Sequence, residues 1–422
     1  MARVHGVVVL SLVVAGCFVD TGGGASATNA GESTSEPGVT SGGPGEGTCA
    51  GACVPGGTTT QAAMGTGEGT GGSTGEDAGE TVTGAPGSMF VQGGTLSVPG
   101  AYAPVAVSFN GDSYEDLVVT SRDVMAPNLY VLLGPGFAEP MIVEGGASTA
   151  METANFDGDG DGDLLLARPG APADAHTFLW DGELKGGTQV ALSDGCMAPR
   201  EVGFSDFDAD GQLDGVIACD QAGVIVLPGV GVGLFGAPVQ IAVDGAAGAV
   251  AIADVIGTPF PDIVYADTVK NTVVVLPGTG TFEPDVQAMV VFPVMMPTAI
   301  TIGQIDTDGT PDIAVSAAVG GCPVFLSMGG APVVGEAYAC GSDARDVHVP
   351  DLDGDGLPDI VTVHGDALHV GRGLGDGTFT GPEVYAAMPG SIQAAILDFD
   401  GDARRDIAVT SPDAVTLFLQ VG

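Results

Sequence analysis

Basic residues are nearly absent from this chain. Lys and Arg together number 10 in 422 residues, against 53 Asp and Glu, for a formal net charge of -43. Nucleic acids are thereby excluded as partners, because phosphate binding draws on clustered cations. Aromatics are scarce as well, with one Trp, six Tyr and 16 Phe. No apolar run of ~20 residues occurs beyond the N-terminus, so no membrane-spanning helix is expected. Neither an HExxH zinc motif nor a phosphate-binding P-loop is found. The seven cysteines contain no CxxC pair, which argues against a metal role for them.

What is abundant is Gly, at 71, Pro, at 28, and an apolar fraction of 45%. Many short strands joined by tight turns produce that mixture, and long helices do not. An acidic loop recurs seven times, ending at Asp116, Asp163, Asp214, Asp262, Asp312, Asp359 and Asp406. Successive ends lie 47, 51, 48, 50, 47 and 47 residues apart. A constant period of this size means one supersecondary unit repeated in a stack or a ring.

Within each unit an apolar strand precedes the loop, and further apolar strands and a Gly-rich turn follow it. Four short strands per unit is the composition of a propeller blade, so residues 89–422 read as an all-β, seven-bladed β-propeller of four-stranded blades. The seventh unit stops after its third strand, Val415–Leu419, whereas the stretch from Phe90 copies the spacing of an outer strand. Residues 90–98 are therefore expected to supply the missing outer strand of the final blade and close the ring.

The loops carry oxygen ligands at positions 1, 3, 5 and 9. Loop three offers Asp206, Asp208, Asp210 and Asp214. Loop six offers Asp351, Asp353, Asp355 and Asp359, and loop seven Asp398, Asp400, Asp402 and Asp406. Loop two has Asn155, Asp157, Asp159 and Asp163. These four are the strong sites. Loop five keeps Asp306, Asp308 and Asp312 but starts with Gln304. Loop one keeps Asn110, Asp112 and Asp116 but starts with Ser108, so both are expected to bind more weakly. Loop four has Ile256 and Thr258 at positions 3 and 5 and is expected to bind nothing.

Hard cations take oxygen ligands, and Ca²⁺ is favoured over Mg²⁺ because a flexible carboxylate loop imposes no octahedral geometry. The helical calcium loop is rejected, since it needs Glu at position 12, where loops two and six have Leu166 and Thr362.

These D-x-[DN]-x-D-G-x-x-D loops and the blade period resemble the FG-GAP repeats of integrin α-subunit propellers and the VCBS-type repeats of bacterial surface proteins. The resemblance implies that calcium stiffens each blade from one face and that ligands meet the opposite face. The loop aspartates would then be structural ligands and not catalysts.

Residues 1–16 have the form of an export signal, with Arg3 ahead of the apolar run Val7–Ala15. The sequence Val14-Ala15-Gly16-Cys17 resembles the lipobox of bacterial lipoproteins, which implies acylation of Cys17 and an anchor in the outer membrane or at the cell surface. Residues 17–88, rich in Gly, Thr and Ser, are expected to form a disordered tether. The other six cysteines suggest disulfides, sequence neighbours being the natural pairs: Cys49 with Cys53, Cys196 with Cys219, and Cys322 with Cys340.

His364 and His369 flank a tight turn, where they could face one another across a hairpin and hold a transition metal or ligand, but two solvent-facing hairpin residues are the expectation. The function favoured is a monomeric, non-enzymatic, calcium-stabilised binding or adhesion module for a protein or glycan ligand. A polysaccharide lyase or hydrolase is the alternative, and it requires a deep polar pocket at the ring axis or between blades. A sugar-binding lectin is the third reading, and it requires exposed aromatics between blades.

Overall fold

The computed structural model describes residues 88–422, apart from residues 111, 113, 123–127, 136–139, 146–147, 194, 244 and 422. The expected export signal, Cys17, the tether and the Cys49–Cys53 pair lie outside the described residues.

The described chain contains strands and no helix. Seven four-stranded antiparallel sheets follow one another, each built in the order inner, second, third and outer strand. Blade two, for instance, runs Ala150–Ala154, Asp163–Arg168, Asp174–Trp180 and Leu184–Ala191. The second strands begin at the last acid of the loop in six blades, and one residue later, at Ile360, in blade six, and they are buried on both faces. That explains why they read as continuous apolar runs, such as Leu164-Leu165-Leu166-Ala167, and not as an alternation. Blade three adds a small hairpin, Gly229–Gly231 with Leu234–Phe235.

Each apolar cluster lies between two neighbouring blades. One joins Val118 and Leu129 of blade one to Leu164 and Leu166 of blade two. Another joins Leu117 and Leu132 of blade one to Leu397 and Leu417 of blade seven, so the series closes into a ring. Hydrogen bonds cross the same seams. Thr149 donates to the carbonyl of Pro199 at 2.6 Å, Thr298 to that of Ala344 at 2.8 Å, and Thr410 to that of Tyr102 at 2.6 Å.

Ring closure follows the expectation. Phe90–Ser97 pairs antiparallel with Ala414–Gln420 and forms the outer strand of blade seven. The third strand of the last sheet is thereby paired by the start of the described chain, as in the other blades, and is no longer the edge. Phe90 anchors the strand, buried edge-on against Tyr385 with ring centroids 5.8 Å apart.

Candidate metal centres and the opposite face

Each acidic loop joins an inner strand to a second strand, so all seven lie at one end of the blades. Their backbone is wound by the aspartates themselves. The position-3 side chain accepts the N–H of position 5, as Asp208 does from Asp210 (3.2 Å) and Asp353 from Asp355 (3.2 Å). The position-5 carboxylate accepts the N–H of position 7, from Gln212 to Asp210 and from Leu357 to Asp355, both at 2.8 Å. Position 1 closes the coil: Asp351 accepts from Gly354 at 2.9 Å and Gly356 at 3.0 Å. Short acidic side chains do this because they reach a backbone N–H two or three residues on.

Positions 4 and 6 adopt the left-handed conformation, with φ of +75° at Gly354 and +86° at Gly356. Glycine suits both positions for that reason. Ala209 (φ 60°), Thr307 (φ 61°) and Ala403 (φ 68°) occupy the same places at a steric cost.

The winding turns the carboxylates toward one another. Oxygens of Asp206, Asp208 and Asp210 lie within 4.8 Å of each other, as do those of Asp351, Asp353 and Asp355, and those of Asp398, Asp400 and Asp406. Loops three, six and seven are the three that combine carboxylates at all four positions. In loops one, two and five no such trio converges among the described residues. Loop two relies on the amide of Asn155, which accepts from Gly158 at 2.7 Å.

Three carboxylates at this separation repel unless a cation lies among them. An all-oxygen donor set fits a hard divalent ion such as Ca²⁺. Asp206, Asp208 and Asp210, with their counterparts in loops six and seven, are the residues that would hold it. The ion would supply charge neutralisation and crosslinking of the loop, not chemistry on a substrate. Asp353 and Asp402 also form ion pairs with Arg372 and Arg404, each at 2.9 Å, so two of the ligand carboxylates already have a cationic partner.

The last aspartate has a second role that the sequence reading did not include. In every blade one oxygen accepts the N–H of loop position 2, and the other accepts an N–H at or just beyond the end of the third strand. Asp163 bonds Phe156 (2.8 Å) and Trp180 (3.0 Å). Asp359 bonds Leu352 (3.0 Å) and Gly373 (2.9 Å), and Asp406 bonds Phe399 (2.9 Å) and Gln420 (2.8 Å). Asp262 does the same in loop four, which lacks the ligands at positions 3 and 5, through Val255 (2.9 Å), Ile256 (3.0 Å) and Gly278 (2.8 Å). The signal was present in the sequence, because the last acid survives in the one loop that has lost positions 3 and 5.

Burial raises the pKa values of these groups against the pull of their N–H donors. Asp214, Asp312 and Asp406 are pushed up to about 6. Asp116, Asp163, Asp262 and Asp359 move in the same direction for the same reason.

At the opposite end of the blades lie two disulfides, Cys196–Cys219 and Cys322–Cys340, which are the sequence-neighbour pairs. Both bonds hold the turns of that face, as crosslinked exported proteins do. His364 and His369 lie there too, yet they do not project into solvent as expected. His364 is 4% exposed and stacks on His369 with ring centroids 4.0 Å apart. Each donates its Nδ1–H to a backbone carbonyl, His364 to Ser342 at 3.0 Å and His369 to Cys340 at 2.9 Å. Burial, and for His364 the neighbouring imidazole, holds both below the usual histidine range. Packing under the Cys340 turn accounts for the burial.

Four exposed apolar residues of this face group in three adjoining loops of blades four and five, Val269 (71%), Met295 (61%), Met296 (41%) and Val319 (53%), while Met197 and Met388 stand apart from them in other blades. The loops are tied together, since Met296 N–H bonds Asn271 Oδ1 at 2.8 Å and Ala318 N–H bonds the Met296 carbonyl at 3.0 Å.

Comparison with known proteins agrees with this architecture. Residues 351–409 match the model of the FG-GAP-like repeat, the stretch that spans loops six and seven. No curated protein matches the sequence. Among solved structures, BBS1N in complex with ARL6DN superposes in crystals soaked with mercury (TM-score 0.57, 12% identity) and with lead (TM-score 0.56, 11% identity). Each alignment covers 79% of this chain and 98% of that one. An Agrocybe aegerita lectin recognising non-reducing terminal N-acetylglucosamine aligns at 18% identity with a TM-score of 0.45, over 75% of this chain and 88% of that one. The protein is a seven-bladed β-propeller with an FG-GAP-like repeat.

Proposed function

We infer that this propeller is an exported, calcium-stabilised binding module whose recognition face is the end away from the acidic loops, and that its ligand is a protein. The apolar patch of Val269, Met295, Met296 and Val319 carries this reading. Exposed apolar residues grouped on one face mark an interaction site, whereas scattered ones do not. Met side chains also adapt to irregular partner surfaces.

The glycan reading has less support from the residues. Sugar sites use exposed aromatic faces, but the lone Trp180 is buried, stacked on Phe109 at 4.7 Å. The two disulfides and the FG-GAP-like repeat fit an exported protein. Among the described residues no helix is long and apolar enough to cross a membrane. Anchoring through Cys17 belongs to the same proposal.

The test is a pull-down from envelope fractions with the purified protein, alongside a glycan array, with calcium and with chelator. Specific capture of a protein, lost in a Met295→Lys, Met296→Lys double variant, is the expected result. Capture unchanged by that variant, or sugar binding in its place, would remove the reading. For the metal, calorimetry should detect calcium uptake that Asp355→Ala reduces in part; no uptake at all would end the calcium claim.

A further inference from the structure

The inner strands surround the ring axis, and toward the acidic-loop end they line a half-open cavity of about 570 Å³. That volume suits a small organic ligand. Its polar wall consists of Glu115, Glu152, His348, Asp351, Arg405 and Thr153. It contains no aromatic side chain other than the His348 imidazole.

His348 is the informative residue, with 1% of its surface exposed. Its Nε2 lies 2.7 Å from Asp346 Oδ2. Asp346 is itself buried and also accepts the N–H groups of Val347 at 2.8 Å and Ala394 at 2.9 Å. A carboxylate so placed accepts the Nε2 proton and assigns the tautomer. Nδ1 is then a bare acceptor, and it has no hydrogen-bond partner. Buried polar atoms are bonded as a rule, so this one calls for a donor.

Farther along the same strands a pocket of about 10 Å³ is lined by Glu201 and Gln393. Gln393 is fully buried, and neither its amide oxygen nor its nitrogen is bonded. That space matches a single water. The axis is therefore polar beyond the main cavity as well.

The wall also selects by charge. Its one guanidinium, Arg405, is engaged by Glu115 at 2.6 Å, so a carboxylate or phosphate ligand would find no uncommitted cation. Glu152 is almost fully buried on the wall, and Asp351 stands at the mouth, in a protein of net charge -43. Neutral sugars would want a stacking face, which is missing.

We propose that this axial cavity binds a small organic cation, a protonated primary amine whose N–H groups donate to His348 Nδ1 while Glu152 supplies the counter-charge. The site is separate from the recognition face and does not depend on it.

Putrescine is the probe, titrated calorimetrically into the full chain at saturating calcium so that the acidic loops are filled. The expected result is one saturable site, with no binding of 1,4-butanediol or succinate. Glu152→Gln, which preserves shape, should weaken binding by about tenfold or more, and so should His348→Phe in a separate experiment. Glu336→Gln, an exposed acid far from the axis, should leave it unchanged. No putrescine binding up to about 10 mM would overturn the proposal. So would weak multi-site binding equal in Glu152→Gln, which would report only a diffuse acidic surface. Should His348→Phe fold poorly in a thermal melt, the isosteric Glu152→Gln alone decides.

Discussion

Replacing Asp262 by Ala separates the two roles of the loop aspartates. Loop four has lost its ligands at positions 3 and 5, so no metal contribution complicates the result. Asp262 is fully buried and accepts three backbone N–H groups, from Val255, Ile256 and Gly278. Truncation orphans all three, at ~1–3 kcal/mol for each buried donor left without a partner. Ile256 N–H is only partly buried and water can satisfy it, so the expected loss is about 4 kcal/mol. Against a total stability of ~5–15 kcal/mol this is severe.

The assay is denaturant unfolding of wild type, Asp262→Ala and Asp355→Ala, each in calcium and in chelator. Asp262→Ala should lose the same amount in both media. Asp355→Ala, altered at an exposed ligand position, should lose stability in calcium and little in chelator. A loss at Asp262 that disappeared on chelation would refute the staple argument, as would a loss below about 1 kcal/mol.

Three other outcomes are expected. In chelator, the raised pKa values of Asp214, Asp312 and Asp406 mean that the folded state holds protons the unfolded chain has released. Their stabilising contribution is full below the unfolded value of 3.8 and is lost as pH rises through about 6. Melting temperatures across that window should therefore fall in chelator and fall less, or rise, in calcium, which needs ionised ligands. Ala403→Gly should stabilise by about 0.5 kcal/mol, since relief of a left-handed alanine (~1 kcal/mol) outweighs the added chain entropy, and a denaturation midpoint will show it. Deleting residues 88–98 should strip the outer strand from blade seven and expose the edge of its third strand, giving stronger concentration-dependent association by light scattering than the intact chain.

The acidic repeat, the blade count and the loop ligands were legible in the sequence because each is local. A period of about 48 residues, glycines at positions needing positive φ and double-faced apolar runs all act within a few residues of themselves. Even ring closure could be read, because Phe90–Ser97 copies the spacing of an outer strand whose partner, Ala414–Gln420, lacks one. That His364 and His369 could meet across the turn was legible, but their burial was not. A turn flanked by two histidines looks exposed until the Cys340 segment is laid over it.

The final division follows range of interaction. Sequence alone determined seven four-stranded blades, their order and the acidic loops at one end, since turn chemistry and strand pattern depend on near neighbours. Only the tertiary structure decided that the last aspartates tie loop to third strand, that three loops converge their carboxylates, and that His348 and Glu152 share one axial cavity. Those relations join residues of different strands or of blades far apart in the chain, and a ring brings such residues together by closing, which no local pattern records.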